Sequence, residues 1–406
     1  MERILSIAIT LVLTFPVFSQ ETGHEFVQPT ENQSNTEQTQ YSSTRGAIAP
    51  HFSFDYLHGN VMNAKELDKN GSNYIQLCAT MNTGTQDGSF FNCYKSPEVG
   101  ISGLVGFLGE KDVLGTVFAL YPTWRYTFFK TKSIGLNVKL GSGFAWFTKP
   151  YNKFDNTENK LIGSHINNIT EIGLDVWFQF LPQWKIDAGT SFLHFSNGHT
   201  AIPNKGLNDI TARLGVIYSP GELNGKSTKH REMPELDDSW KKNIVVSLGR
   251  HELAYTESPT DGPSYNVYKL GCYFSKRLSK INEVKFGSTI SYYQSYYTFI
   301  HLTDYYNHLQ HLASTVVALQ IGHEFLINRF GFDTDLGIKV VDPFYRDYFL
   351  ERDNSLWYKS VFAPKVGFKF YPIWNSYDKQ RLALGMYIKT NGLQADFVEY
   401  SLSYSF

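Results

Sequence analysis

Val398, Tyr400, Leu402, Tyr404 and Phe406 alternate without a break with Glu399, Ser401, Ser403 and Ser405. A period of two residues belongs to a strand with one apolar and one polar face, and it cannot be written onto a helix. The pattern recurs upstream. Ile172, Leu174, Val176, Phe178 and Phe180 share one parity, and Glu171, Gly173, Asp175 and Gln179 share the other. Ile210, Ala212, Leu214, Val216 and Tyr218 face away from Asp209, Thr211 and Arg213 in the same way. After the first 19 residues no apolar run approaches the roughly 20 residues that a membrane-spanning helix needs.

Residues 1–19 carry Glu2-Arg3, an apolar run from Ile4 to Phe18 and a small Ser19, the pattern of a secretory signal peptide. Residues 20–44 are rich in Gln, Asn, Thr and Ser and are expected to be a disordered leader. No Cys directly follows the cleavage point, which argues against a lipid anchor. An exported chain with aromatics at 16%, 26 Tyr, 31 Phe and a mean hydropathy of −0.29 fits a transmembrane antiparallel β-barrel, where half of every strand is polar. Clusters such as Tyr292-Tyr293 and Tyr296-Tyr297 read as interfacial girdle. The terminal Phe406 strand resembles the C-terminal strand of Gram-negative outer-membrane barrels, which implies the outer membrane as location and its assembly machinery as a partner. A net charge of −1 and the lack of a basic patch exclude nucleic acid as a partner. Cys78 and Cys93 lie close enough in sequence to form a loop disulfide, and Cys272 would stay unpaired.

The fold class is therefore all-β, with about sixteen strands and both termini periplasmic. Strands are expected near 46–58, 92–107, 133–147, 164–181, 184–197, 207–219, 240–254, 264–278, 281–299, 311–327, 329–343, 357–373, 380–390 and 395–406. The stretch 113–130 supplies a pair if it breaks near Tyr121-Pro122, and only the pair keeps the count even; fourteen is the alternative. Short turns near 110–111, 130–132, 182–183, 278–280, 328–329 and 375–376 are expected to be periplasmic, and the longer polar stretches 59–89, 148–162, 198–206, 255–263, 300–309 and 346–355 extracellular. The charged segment 220–239 divides 45–406 into a half ending at 219 and a half spanning 240–406. It is read as a long turn within one barrel in preference to a linker between two eight-stranded barrels.

One strand carries chemistry. His194 and Ser196 share the parity of Ile186, Ala188 and Phe192, so in a membrane barrel they face lipid. Polar side chains there are costly and point to function. Asn208 on the next strand has the same outward parity, and a hairpin closing around 198–206 sets it nearly opposite Ser196. The set suits ester hydrolysis: Ser196 as nucleophile, His194 as base and then acid, a third group orienting the ring. Asn204 or backbone N–H groups around Gly198 and Gly206 would stabilise the oxyanion.

His194-Phe195-Ser196-Asn197, followed by Pro203-Asn204-Lys205-Gly206, resembles the PagL family of lipid A 3-O-deacylases, outer-membrane barrel esterases. The resemblance covers about 46–219. It implies catalytic His194 and Ser196, Asn204 as oxyanion donor, and lipid A of the outer leaflet as substrate. Asn156 to Asn167 and the ending Gln394-Ala395-Asp396-Phe397-Val398-Glu399 resemble the larger, acyloxyacyl hydrolase-type members, which carry extra C-terminal strands. One position departs: the family pattern has Glu where this chain has Asn208. An amide accepts the imidazole N–H but does not offset the charge that develops on the ring. Asp209 and Glu171 are acidic but face the lumen by parity.

No cofactor is expected. His301, Asp304, His308 and His311 have no metal-site spacing and read as solvated loop residues, as does His199. His165 reads as a loop-supporting hydrogen-bonder. The competing function is a porin-like channel lined by Lys139, Asp175, Lys185, Asp187 and Arg213, and a catalytically inactive structural barrel is the third reading.

Overall fold

The computed structural model describes residues 50–62, 67, 71–82, 97–220, 238–253, 262–306, 308–327, 329–350, 357–374, 380–392 and 394–406. The expected signal peptide, the leader, Cys93 and most of the 220–239 segment lie outside the described residues.

Sixteen antiparallel strands form two closed barrels of eight. The first comprises β1 (Pro50–Val61), β2 (Ser72–Asn82), β3 (Glu98–Phe107), β4 (Thr116–Lys130), β5 (Ile134–Phe147), β6 (Ile166–Leu181), β7 (Trp184–Ser196) and β8 (Leu207–Tyr218). The second comprises β9 (Lys241–Glu252), β10 (Ser264–Arg277), β11 (Asn282–Tyr293), β12 (Thr315–Ile327), β13 (Phe330–Val341), β14 (Lys365–Trp374), β15 (Arg381–Asn391) and β16 (Gln394–Ser405). The expectation of one large barrel is corrected. β8 closes on β1, with Val216 opposite Phe54, and β16 closes on β9, with Leu402 opposite Val246. No edge of the first sheet is left to pair with the second.

The total of sixteen hides two errors that cancel. β2 falls inside 59–89, which the sequence reading treats as loop. The 113–130 stretch is a single strand, β4, and Pro122 sits within it opposite Ile101. Missing β2 also inverted one end. The connection around Glu110-Lys111 lies between β3 and β4, at the same end as the 148–165 and 197–206 connections, not with the short turns at 131–133 and 182–183.

Side chains alternate as the period predicts. Leu77, Leu120, Ile186 and Leu214 are exposed on the outside of the first barrel, and Leu248, Leu270, Leu319 and Leu402 on the second. Inside, an eight-stranded barrel is narrow enough for its own side chains to fill. The first lumen holds Lys139 paired with Glu171 at 3.0 Å, and Arg213 paired with Asp175 and Asp187. The second holds Arg381–Glu283, Lys285–Asp333 and Lys269–Glu399 pairs. Cys78 is a free thiol in the first lumen, within hydrogen-bond reach of Ser102, while free Cys272 lies on the outside of the second barrel. Tyr293 and Tyr296 are not girdle residues. β11 ends at Tyr293, a helix follows (α1, Gln294–Thr303), and the two rings stack at 4.5 Å in the interior.

Candidate active site

β7 sets the parity of the site. Lys185, Asp187, Ser191, Leu193 and Phe195 are buried, and Ile186 and Ala188 are exposed. His194 and Ser196 fall on the outward parity at the end of the strand, as expected. Across the ladder His194 faces Thr170 and Ser196 faces Asn168 on β6. On the other side His194, not Ser196, faces Asn208. This corrects the expected register by two residues, a shift that leaves every side chain on its own face.

His194 Nδ1 lies 2.7 Å from Asn208 Oδ1. An amide oxygen only accepts, so Nδ1 carries the hydrogen and Nε2 is left as an acceptor. The Ser196 hydroxyl is met by two donors: the Gly198 N–H at 3.1 Å and the Asn204 Nδ2 amide at 2.9 Å. No hydrogen bond joins Ser196 to His194 among the described residues; contacts of this kind often tighten only with substrate in place. Ser196, Asn204 and Asn197 are each 5% exposed, so the hydroxyl sits in a covered recess of the outer face.

The 197–206 connection creates the recess. Gly198, His199 and Gly206 all have left-handed backbone, with φ of 63°, 68° and 71°. Glycine takes this region without cost. Gly206 is also needed for space, because a Cβ there would stand 3.1 Å from His194 Cε1. The connection rests on the 156–165 segment. Gly206 N–H donates to the Leu161 carbonyl at 3.0 Å, Lys205 N–H donates to the Lys160 carbonyl at 3.2 Å, and Asn197 Nδ2 donates to Ser164 Oγ at 3.1 Å. Leu161 and Ile162 are in turn buried in the barrel interior. Asn197 also bonds the Ala201 carbonyl at 2.8 Å and so closes the loop on itself.

The structure thus brings together Ser196, His194, Asn208, Asn204 and Gly198. Gly206 serves through its backbone shape, and its N–H is turned to Leu161 instead of to Ser196. Asp209 and Glu171 point inward, Asp209 to Tyr74 and Glu171 to Lys139. Sequence reasoning gave no role to Asn197, named only as part of the motif, or to Ser164; the structure ties the two together. Sequence reasoning also misplaced His199. That ring is 4% exposed and lies against the second barrel, 6.4 Å centroid to centroid from His251. His165 bonds the Phe147 carbonyl at 2.7 Å and stacks on Trp146, a supporting role for the neighbouring connection. No cluster of His, Cys, Asp or Glu suited to a metal occurs among the described residues.

Two closed eight-stranded barrels, one with a serine, a histidine and two asparagines gathered at the end of a strand hairpin, define a double-barrel protein. The chain belongs to the PagL and acyloxyacyl hydrolase family: residues 74–216 match the family described as lipid A 3-O-deacylase (PagL), and residues 240–406 match the acyloxyacyl hydrolase C-terminal domain. The first matched segment runs from within β2 into β8, and the second spans β9 to β16. Comparison with curated proteins found no match. Among solved structures, the outer membrane enzyme PagL is 16% identical, covering 40% of this chain and 97% of that one, with a TM-score of 0.29. A KdgM porin is 7% identical over 87% of this chain and 98% of its own, with a TM-score of 0.17. The β domain of the Bordetella autotransporter BrkA is 9% identical over 89% and 99%, with a TM-score of 0.25. Similarity at this level is common to barrels in general.

Proposed function

We propose that this protein is an outer-membrane esterase that removes a fatty acyl chain from lipid A. The observation that carries the proposal is the outward-facing pair of His194 tied to Asn208 and Ser196 held by two N–H donors. The exposed apolar belts on both barrels support insertion in a bilayer, with the short 131–133 and 182–183 turns and both termini on the periplasmic side. A lipid would then meet Ser196 sideways from the outer leaflet.

In this reading Ser196 Oγ attacks the ester carbonyl while its proton passes to His194 Nε2, the nitrogen left free by the Nδ1–Asn208 bond. Negative charge moves onto the carbonyl oxygen, where the Gly198 N–H and Asn204 amide receive it. Collapse breaks the bond to the sugar oxygen, which takes the proton from His194 and leaves as an alcohol. Water then attacks the acyl-Ser196 ester, giving its proton to His194, and the fatty acid is released as Ser196 regains its hydrogen. The filled and ion-paired lumens give no support to a channel.

The test is mass spectrometry of lipid A from cells expressing the wild type or Ser196→Ala at equal folded amounts. Loss of one acyl chain with the wild type alone is expected. Identical lipid A from both strains would remove the esterase.

A further inference from the structure

The second barrel touches the first at the nucleophile loop. Val398, on the outward parity of β16, packs against Gly198: a Cβ added to Gly198 would stand 2.5 Å from Val398 Cγ2. One residue on, His199 is buried beside His251 of β9 and Asp396 of β16. These receiving groups are themselves fixed. His251 Nδ1 meets Ser295 Oγ at 2.7 Å, and His251 Nε2 lies 3.4 Å from Asp396 Oδ1. Asp396 in turn accepts from Lys389 Nζ at 2.6 Å, Asn391 Nδ2 at 2.8 Å and the Tyr293 hydroxyl at 2.8 Å.

We propose that the second barrel is a positioning element for the Ser196 site, with Val398 and the His199 seat holding the loop so that the Gly198 N–H points at Ser196 Oγ. The first barrel anchors one side of that loop through Leu161, Lys160 and Ser164. Gly198 and His199 lie on the other side, where Val398 of β16 meets Gly198 and His251 of β9 lies beside His199. Both residues hold left-handed backbone, which for a histidine is uncommon and persists only when the surroundings impose it. A donor misplaced by an ångström loses most of its value to a developing oxyanion. Val398 and His199 are positioning residues; neither touches Ser196 Oγ.

The role in catalysis rests on the esterase reading, but the brace itself can be read without turnover. The full-length protein and its Val398→Ala and His199→Asn variants are placed in lipid nanodiscs, and folding is checked by gel mobility without heating. Amide hydrogen exchange is followed over 197–206. Both variants are expected to lose protection there by about tenfold while strand amides stay as in the wild type. With lipopolysaccharide as substrate, kcat is expected to fall about tenfold with KM unchanged. Gly198→Ala should lose activity that Gly198→Ala/Val398→Ala partly regains, because the second change removes the methyl that the new Cβ meets. Unchanged loop protection in both single variants overturns the brace. If the wild type releases no acyl chain, the esterase reading falls and the exchange data still decide the brace.

Discussion

The imidazole of His194 is tied through Nδ1 to the side-chain oxygen of Asn208, directly across the β7–β8 ladder. In the proposed esterase, Asn208 stands where a catalytic triad has its acid, and it puts an amide there. The amide fixes the tautomer and leaves the imidazolium uncompensated. In a serine protease the same exchange costs about 10⁴ in kcat because it holds the ring in the wrong tautomer; here the tautomer is right and only the charge compensation is missing. Asn208→Glu is therefore expected to raise kcat, by about tenfold or more, with KM little changed. Steady-state release of fatty acid measures it. A large loss would mean that the amide N–H₂ of Asn208 makes a contact the reaction needs.

Asn204 and the Gly198 amide both reach Ser196 Oγ, at 2.9 and 3.1 Å. Only Asn204 can be removed without touching the backbone. Asn204→Ala should lower kcat by about 10²–10³ with KM nearly constant, the usual cost of one oxyanion donor. Asn204 Oδ1 also receives the Asn197 N–H at 3.4 Å, a long contact whose loss is a small structural term. Asn204→Asp keeps that acceptor and removes the donor. Equal losses in the two variants would assign the effect to donation; a harmless Asn204→Asp would assign it to loop shape.

Much of this was readable from period-two alternation. Parity alone put His194 and Ser196 outside and Glu171 and Asp209 inside, because strand geometry leaves no other choice once one face is apolar. Register was less legible: the number of residues that loop out between β7 and β8 depends on bonds to the 156–165 segment, which no local pattern encodes. β2 went unread because it sits in a long polar stretch, and its inward Gln76, Cys78 and Thr80 carry no strong strand signature. Proline removes a ladder hydrogen bond and so favours a break near Tyr121-Pro122 over one long strand, yet β4 runs through Pro122. His199 looked like a solvated loop residue because nothing in its neighbours announces a second barrel packed against it.

His199 gives the loop a pH dependence of stated sign. Its pKa is pushed down to about 4, first by burial and next by His251, against the opposing pull of Asp396; Lys359 adds a smaller downward push. The docked ring is neutral. Docking is complete above the ordinary histidine value near 6.5 and is lost as pH falls from there towards 4, by on the order of 3 kcal/mol across that window. Exchange protection over 197–206, corrected for intrinsic rates, should fall through this range in Ser196→Ala, used so that turnover does not interfere. Adding His199→Asn should flatten the dependence, since asparagine tolerates left-handed backbone and does not titrate. An equal decline in both proteins would place the titration on another group.

The lumen pair Lys139–Glu171 separates stability from catalysis. Both side chains are fully buried at 3.0 Å, and Glu171 also accepts from Gln76, Tyr121 and Ser191. Glu171→Leu leaves a buried ammonium without its partner, which costs about 3–5 kcal/mol. Replacing both groups, as Lys139→Met with Glu171→Leu, should recover part of that loss, because the stranded ammonium is gone while the Gln76, Tyr121 and Ser191 donors still lack their acceptor. Thermal unfolding in detergent reads both variants. Activity per folded molecule should stay at the wild-type level in the double variant, since the pair faces the lumen and the proposed Ser196 site lies on the opposite side of the sheet. A selective loss of kcat in a fully folded double variant would show instead that Glu171 supplies, through the wall of the barrel, the negative charge that Asn208 lacks.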